Sequence, residues 1–145
     1  MSDGIVLDTN IVSYIVKANP LADRYADELR GRRLCISFIT VGELRFWARS
    51  RHWGAQKVQR MEQSIRGFVV IPFDDPVATV WAEIATEAKA AGRDRVDRSD
   101  WWITACAIRH DIPLVTHNRR DFDGISRLTL ITHPDAPPTT DRPPS

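Results

Sequence analysis

The chain has 145 residues, of which 43% are hydrophobic and 27% are charged, a composition typical of a globular domain. This length supplies one hydrophobic core but not two full domains, and the composition excludes a disordered chain, a collagen and a coiled-coil rod. Twenty basic and 19 acidic side chains give a net charge of +1, so no general positive field attracts nucleic acid. The longest uncharged run, residues 34–42, is far shorter than the roughly 20 residues of a membrane-spanning helix.

The N-terminus and the cysteines bear on cellular location. Asp3 and Asp8 come early and no basic segment precedes an apolar one, so we expect no secretory signal. Cys35 and Cys106 stand alone without CxxC spacing, which is typical of free, buried thiols in a reducing compartment. These features predict a cytoplasmic protein.

Short apolar runs predict strands, and the segments between them carry the apolar spacing of helices. The clearest helix start is Asp75–Pro76, where an N-cap residue precedes a proline suited to the first turn. In chain order, the sequence predicts strand 4–7, helices 10–17 and 20–29, strand 34–37, helix 40–50, a helix from residue 54, strand 68–72, helix 75–91, a loop at 93–99, helix 100–110, and strands 114–116 and 128–131.

Strands that alternate with helices predict an α/β fold, with a central, mainly parallel sheet of about five short strands flanked by helices. We expect one domain over residues 1–132 and a proline-rich, disordered tail over residues 133–145. Ligands of such sheets bind beyond the carboxyl ends of the strands. Asp8 directly follows the first predicted strand, so it is the first residue to consider as part of a site.

Four carboxylates follow strands or begin helices, positions that a parallel sheet brings to one edge: Asp8, Glu43, Asp100 and Asp121. Some have a simpler explanation, because Thr40 and Glu43 have the spacing of a capping box and the helix dipole favours any acid in a first turn. Asp8 ends a buried apolar strand and needs donors or a cation. Converging carboxylates without His or Cys select Mg²⁺ or Mn²⁺, which assist the attack of water on a phosphodiester.

Four motifs follow one another along residues 4–132: LDTN at 7–10, SFITVGEL at 37–44, DWWITACA at 100–107 and LVTHNRRDF at 114–122. In this order they resemble the PIN-domain family, and in particular its VapC-type ribonuclease toxins of bacterial toxin–antitoxin pairs. The resemblance implies Asp8, Glu43 and Asp100 as catalytic, metal-binding acids. A fourth acid is expected at the position of Asn118 or Asp121, and this chain offers Asp121. The polar groups around these acids are then Thr9, Asn10, Thr116 and Asn118, although Asn10 is equally suited to cap a helix.

The resemblance further implies a Mg²⁺-dependent endoribonuclease that cuts a structured RNA such as tRNA or ribosomal RNA. It implies a small antitoxin partner that inserts a basic residue into the acidic site. We also expect a homodimer, because the helices after the second strand carry more apolar residues than one small core hides. Two alternatives remain open, a non-catalytic binding module and a structure-selective DNA nuclease. Arginines near the acids are expected to contact RNA phosphates: Arg45, Arg49, Arg93, Arg95 and Arg98.

Overall fold

The computed structural model describes residues 3–93, 98–122 and 124–133. A five-stranded sheet in the order β3-β2-β1-β4-β5 occupies its centre, and every neighbouring pair of strands is parallel. The predicted α/β domain is confirmed, while the predicted tail lies outside the described residues apart from His133. The strands are β1 (Gly4–Leu7), β2 (Arg33–Ser37), β3 (Val69–Ile71), β4 (Leu114–Val115) and β5 (Leu130–Ile131).

Helices connect the strands and cover both faces of the sheet, as parallel strands require. The described part of the chain contains α1 (Thr9–Val16), α2 (Pro20–Asp23), α3 (Ala26–Leu29), α4 (Phe38–Ser50), α5 (Ala55–Gly67), α6 (Asp75–Ala90), α7 (Arg98–Arg109) and a 3₁₀ turn (Arg119–Asp121). None of these helices has the length and apolar character needed to cross a membrane.

Two hydrophobic clusters lie on opposite faces of the sheet. Val6 of β1 packs with residues of α6 and α7. Its neighbours Ile5 and Leu7 pack with residues of α1, α4 and α5. Successive strand residues point to opposite faces, so the unbroken apolar run of β1 reflects burial on both sides. This confirms the reading of that run as a central parallel strand.

The helix starts differ from the sequence-based expectation because strands lead directly into helices. Asp8, rather than Asn10, caps α1, and its Oδ1 accepts a hydrogen bond from the Thr9 amide at 2.7 Å. Ser37 caps α4, so this helix begins before the predicted Thr40. Asp74, rather than Asp75, caps α6. In each case, the side chain of a polar residue before the predicted start accepts a hydrogen bond from a backbone amide of the first turn.

The predicted helix over residues 20–29 is wrong, since the chain forms two short helices, α2 and α3, instead. Tyr25 lies between them with φ −103° and ψ 3°, outside the helical region. Its side chain is fully buried and its hydroxyl pairs with Nδ1 of His117 at 2.7 Å. Burial of this one aromatic residue therefore interrupts the helix. At the other end of the chain, α7 begins at Arg98, inside the predicted loop 93–99, of which residues 94–97 lie outside the described residues.

Candidate active site

Asp8 is the central carboxylate of the edge where β1, β2 and β4 end. Its side chain is 4% exposed. Oδ1 accepts from the Thr9 amide, and Oδ2 accepts from the Thr116 hydroxyl at 2.8 Å. Thr116 Oγ1 in turn accepts from the Asn118 amide at 3.0 Å. The carboxylate is thus held between the first turn of α1 and the segment that follows β4.

Thr9 links Asp8 to Glu43. The Thr9 hydroxyl donates to Glu43 Oε1 at 2.8 Å and lies 2.8 Å from the Thr40 hydroxyl. Since Thr9 has a single hydroxyl proton, Thr40 is the donor in the second contact. The capping-box interpretation of Thr40 and Glu43 is wrong, because Ser37 is the N-cap of α4. Glu43 instead belongs to a hydrogen-bonded network with the residue next to Asp8.

The pKa of Asp8 is raised from 3.8 to about 6. Burial is the main cause, and the negative charges of Glu43 and Asp121 raise it further, against the lowering effect of the hydrogen bonds from Thr116 and Thr9. A carboxylate that is buried and repelled by neighbours of the same sign is stabilised by a bound cation. The electrostatics therefore favour a cation beside Asp8.

The other two acids approach the same edge from separate elements. Asp100 is 5% exposed and lies in the first turn of α7, a helix that packs against β1, β2 and α4. Asp121 is half-buried in the 3₁₀ turn after β4, and its charge acts on Asp8. Across residues 3–93, 98–122 and 124–133, no group of three or more His, Cys, Asp or Glu side chains has the arrangement to hold a metal ion. Glu43 and Asp121 are near enough to act on the charge of Asp8, while Asp100 is buried at the start of α7.

Asn10 provides an independent sign that a group is bound beside Asp8. It is 2% exposed, yet its Oδ1 is buried and has no hydrogen-bond partner in the described part of the chain. A buried oxygen without a donor is costly, and a water or a cation removes that cost. Mg²⁺ uses one or two carboxylates and completes its shell with waters and substrate phosphates. An all-oxygen set of carboxylates and Asn10 fits this chemistry.

The arginines predicted to contact RNA have different environments. Arg45 forms a bidentate salt bridge with Glu62, in which Nε and Nη2 each donate to a carboxylate oxygen at 3.0 Å. Arg49 is exposed on α4, and Arg93 is half-buried after α6. Arg95 and the side chain of Arg98 lie outside the described residues. Arg45 is therefore bound to a neighbouring acid, whereas Arg49 remains exposed to solvent.

The residues that contact the backbone around Thr116 were not predicted from the sequence. The hydroxyl of Tyr25 donates to the Thr116 carbonyl at 3.4 Å and pairs with His117, whose side chain is 4% exposed. The ring of His133 packs edge-on against Tyr25, with centroids 4.7 Å apart. The one available signal was an isolated aromatic residue in a polar segment. It gives no indication of partners 91 and 92 positions away.

Two relatives align with most of the chain. Ribonuclease VapC1 of Haemophilus influenzae (strain R2866) is 33% identical over 133 residues, which span 85% of this chain and 92% of the relative. The tRNA(fMet)-specific endonuclease VapC of Shigella flexneri is 32% identical over 130 residues, with the same shares of the two chains. The similarity therefore includes all four motifs rather than a local segment.

Solved structures show the same fold. A DNA-bound VapBC from Salmonella typhimurium superimposes with a TM-score of 0.78 and 26% identity, over 91% of this chain and 98% of that one. A toxin–antitoxin complex from Klebsiella pneumoniae gives a TM-score of 0.70 and 25% identity, over 88% and 96%. The sequence profile described as PIN domain matches residues 5–128. With this match over most of its length, and with relatives 32–33% identical, the chain belongs to the PIN domain family.

Proposed function

We propose that this chain is a metal-dependent endoribonuclease and the toxin of a toxin–antitoxin pair. The observation that carries the proposal is the buried Asp8 carboxylate, whose pKa is raised to about 6 by burial and by Glu43 and Asp121. The names of the two relatives support RNA as the substrate. A binding module without catalysis gains nothing from a buried carboxylate that repels its neighbours.

Asp8, Glu43, Asp100 and Asp121 are the residues that would hold Mg²⁺ or Mn²⁺. The ion would lower the pKa of a bound water and stabilise the charge on the phosphoryl group. Thr116 and the Thr9 amide fix both oxygens of Asp8, so the carboxylate does not need to reorient. Thr9 keeps Glu43 beside it. Asn118 supports this arrangement through its backbone amide, which holds the Thr116 hydroxyl.

The proposed substrate is a structured RNA, tRNA or ribosomal RNA, since one relative carries tRNA(fMet) in its name. Attack by water leaves a 5′-phosphate and a 3′-hydroxyl. With a net charge of +1, affinity for RNA has to come from local clusters of cations. The exposed Arg49 and the arginines that precede α7 are the proposed phosphate contacts near the acids.

The proposed partners are an antitoxin and a second copy of the chain. A related structure is a toxin–antitoxin complex, and an acidic edge of this kind accepts a basic side chain from such a partner. On the helices that follow the second strand, Trp47, Met61 and Ile65 are buried in the core and contribute no surplus apolar surface. Phe46 and Phe73 are 65% and 56% exposed and provide the apolar surface for a homodimer. The two buried free thiols are consistent with the proposed cytoplasmic location.

The test is cleavage of bulk tRNA and ribosomal RNA by the purified, antitoxin-free chain. We expect cleavage with Mg²⁺ or Mn²⁺, none in EDTA, and little with Ca²⁺, which is larger and accepts looser geometry. Glu62→Gln is the matched control, because it removes a half-buried carboxylate that pairs with Arg45 rather than with the proposed metal ligands. Equal cleavage in EDTA contradicts the metal mechanism. Cleavage of DNA but not RNA would assign the nuclease to the other nucleic acid.

A further inference from the structure

We propose a second binding site for the RNA backbone at the opposite end of the helices that begin at the acidic edge. It consists of Lys17, Arg51, Lys57 and Arg60, here called the basic corner. Lys17 and Lys57 lie over the ring of Trp53, Arg60 borders the same depression as the two lysines, and the charge of Arg51 acts on both lysines. Lys17 follows α1 and Arg51 follows α4, while Lys57 and Arg60 lie near the start of α5. The inference rests on the proposed ribonuclease function and adds a site that the cleavage chemistry does not use.

The positively charged side chains of the basic corner lie close together. The ammonium groups of Lys57 and Lys17 lie 4.1 and 5.7 Å from the centre of the Trp53 ring. Arg51 lies over the neighbouring Trp47 at 5.7 Å. Lys17, Lys57 and Arg60 also border a depression of about 360 Å³. The corner thus combines several positive charges with space for a group of phosphate size.

Helix dipoles explain only part of this cluster. Lys17 and Arg51 occupy the C-caps of α1 and α4, where the dipole favours a cation. Lys57 and Arg60 lie in the first two turns of α5, where the dipole disfavours one, and that first turn contains no acid. The dipole therefore does not account for Lys57 and Arg60. Lys57 contacts Trp53, and an anion bound at the corner would pair with both cations.

Burial and the repulsion between neighbouring cations both lower the pKa values of the lysines in the basic corner. Burial, followed by the charges of Lys57 and Arg51, lowers the pKa of Lys17 to about 8. Burial and the charges of Arg60 and Arg51 also lower the pKa of Lys57. Among the ion pairs of the described residues, none joins a carboxylate to Arg51, Lys57 or Arg60. An anion from another molecule would relieve this repulsion.

The phosphates of RNA are the occupant that fits best. The eight residues of α1 place Lys17 about 12 Å along the helix axis from Thr9, a separation that one RNA molecule easily spans. Trp53 also borders a groove of about 570 Å³ between α4 and α5, whose lining includes Arg45 and Arg49. A chain with a net charge of +1 has to place its cations locally to hold a polyanion.

The experiment measures binding of bulk tRNA in EDTA as a function of salt, for the parent chain and for Lys57→Gln/Arg60→Gln. The logarithm of the binding constant falls linearly with the logarithm of the salt concentration, and loss of two phosphate contacts makes this slope shallower by about 1.5. If the two proteins bind equally at 1 M salt, the variant then binds about 30-fold more weakly at 0.1 M salt. Arg32→Gln/Lys89→Gln is the matched control, since it removes one arginine and one lysine that are exposed on other elements. It should leave the slope unchanged.

Folding does not confound this test. The double variant removes like charges that repel each other but also the contact of Lys57 with Trp53. We therefore expect its melting temperature to stay within a few degrees of that of the parent, and the pKa of Lys17 to rise. If the variant binds tRNA as the parent does at every salt concentration, the proposal is overturned and an acidic protein segment becomes the occupant to test. Cleavage by the parent with Mg²⁺ tests the proposed function separately, because binding at the corner needs neither metal nor turnover.

Discussion

Replacing Asp8 with asparagine should stabilise the metal-free protein at neutral pH. Asparagine keeps the shape and caps a helix about as well as aspartate, but it removes a buried charge repelled by Glu43 and Asp121. The rise of the Asp8 pKa from 3.8 to about 6 corresponds to about 3 kcal/mol at pH 8. Part of that gain is lost because the amide has to re-pair with Thr116. We therefore expect a net gain of about 1–3 kcal/mol, a rise of several degrees in melting temperature.

The pH dependence separates this explanation from better packing. The folded protein binds a proton at Asp8 more tightly than the unfolded chain does. Relative to Asp8→Asn, the parent is therefore most stable below pH 3.8, and it loses stability as the pH rises through about 6. Urea unfolding of the parent and of Asp8→Asn, in EDTA between pH 4 and pH 8, should show a difference that grows with pH. A variant that is less stable at pH 8, or a difference that is the same at every pH, refutes the reasoning.

Further predictions concern the surroundings of the site. Thr116→Val should raise the pKa of Asp8 further and cost about 1–3 kcal/mol, because a buried acceptor loses its donor; an unchanged NMR titration of Asp8 contradicts this. Tyr25→Phe should cost a similar amount in urea unfolding, since it leaves His117 Nδ1 without its partner. Arg45→Gln should change stability by less than about 1 kcal/mol, because its pair with Glu62 is largely exposed. Deletion of residues 134–145 should change neither melting temperature nor cleavage, and a fall of more than a few degrees would show that this segment packs on the domain.

The sequence predicted well those features that depend on local pattern. β1 and the acid that follows it were predicted correctly, because a run of consecutive apolar residues indicates a buried strand and the next residue marks the strand end. Asp8 and Glu43 were expected at one edge, and the structure connects them through Thr9. This proximity was predictable because a parallel sheet places the carboxyl ends of all its strands on the same side.

Features that depend on partners distant in the chain were not predictable. Thr40 and Glu43 matched a capping box, and no neighbouring residue indicated that Ser37 would be the N-cap of α4. Nothing near Arg45 in the sequence indicated that α5 would bring Glu62 against it. The basic corner draws its cations from the ends of three helices, so no single stretch of sequence carries a basic run.

We propose that the carboxylates at this edge bind a metal ion. Thermal unfolding during titration with Mg²⁺ or Mn²⁺ tests it directly, because a ligand of the native state alone adds about 2.7 kcal/mol at a hundredfold excess over Kd. We predict a metal-dependent rise in melting temperature that is lost in Asp8→Asn and in Asp100→Asn but kept in Glu62→Gln. An equal rise in all four proteins, or no rise in the parent at millimolar metal, would contradict the claim.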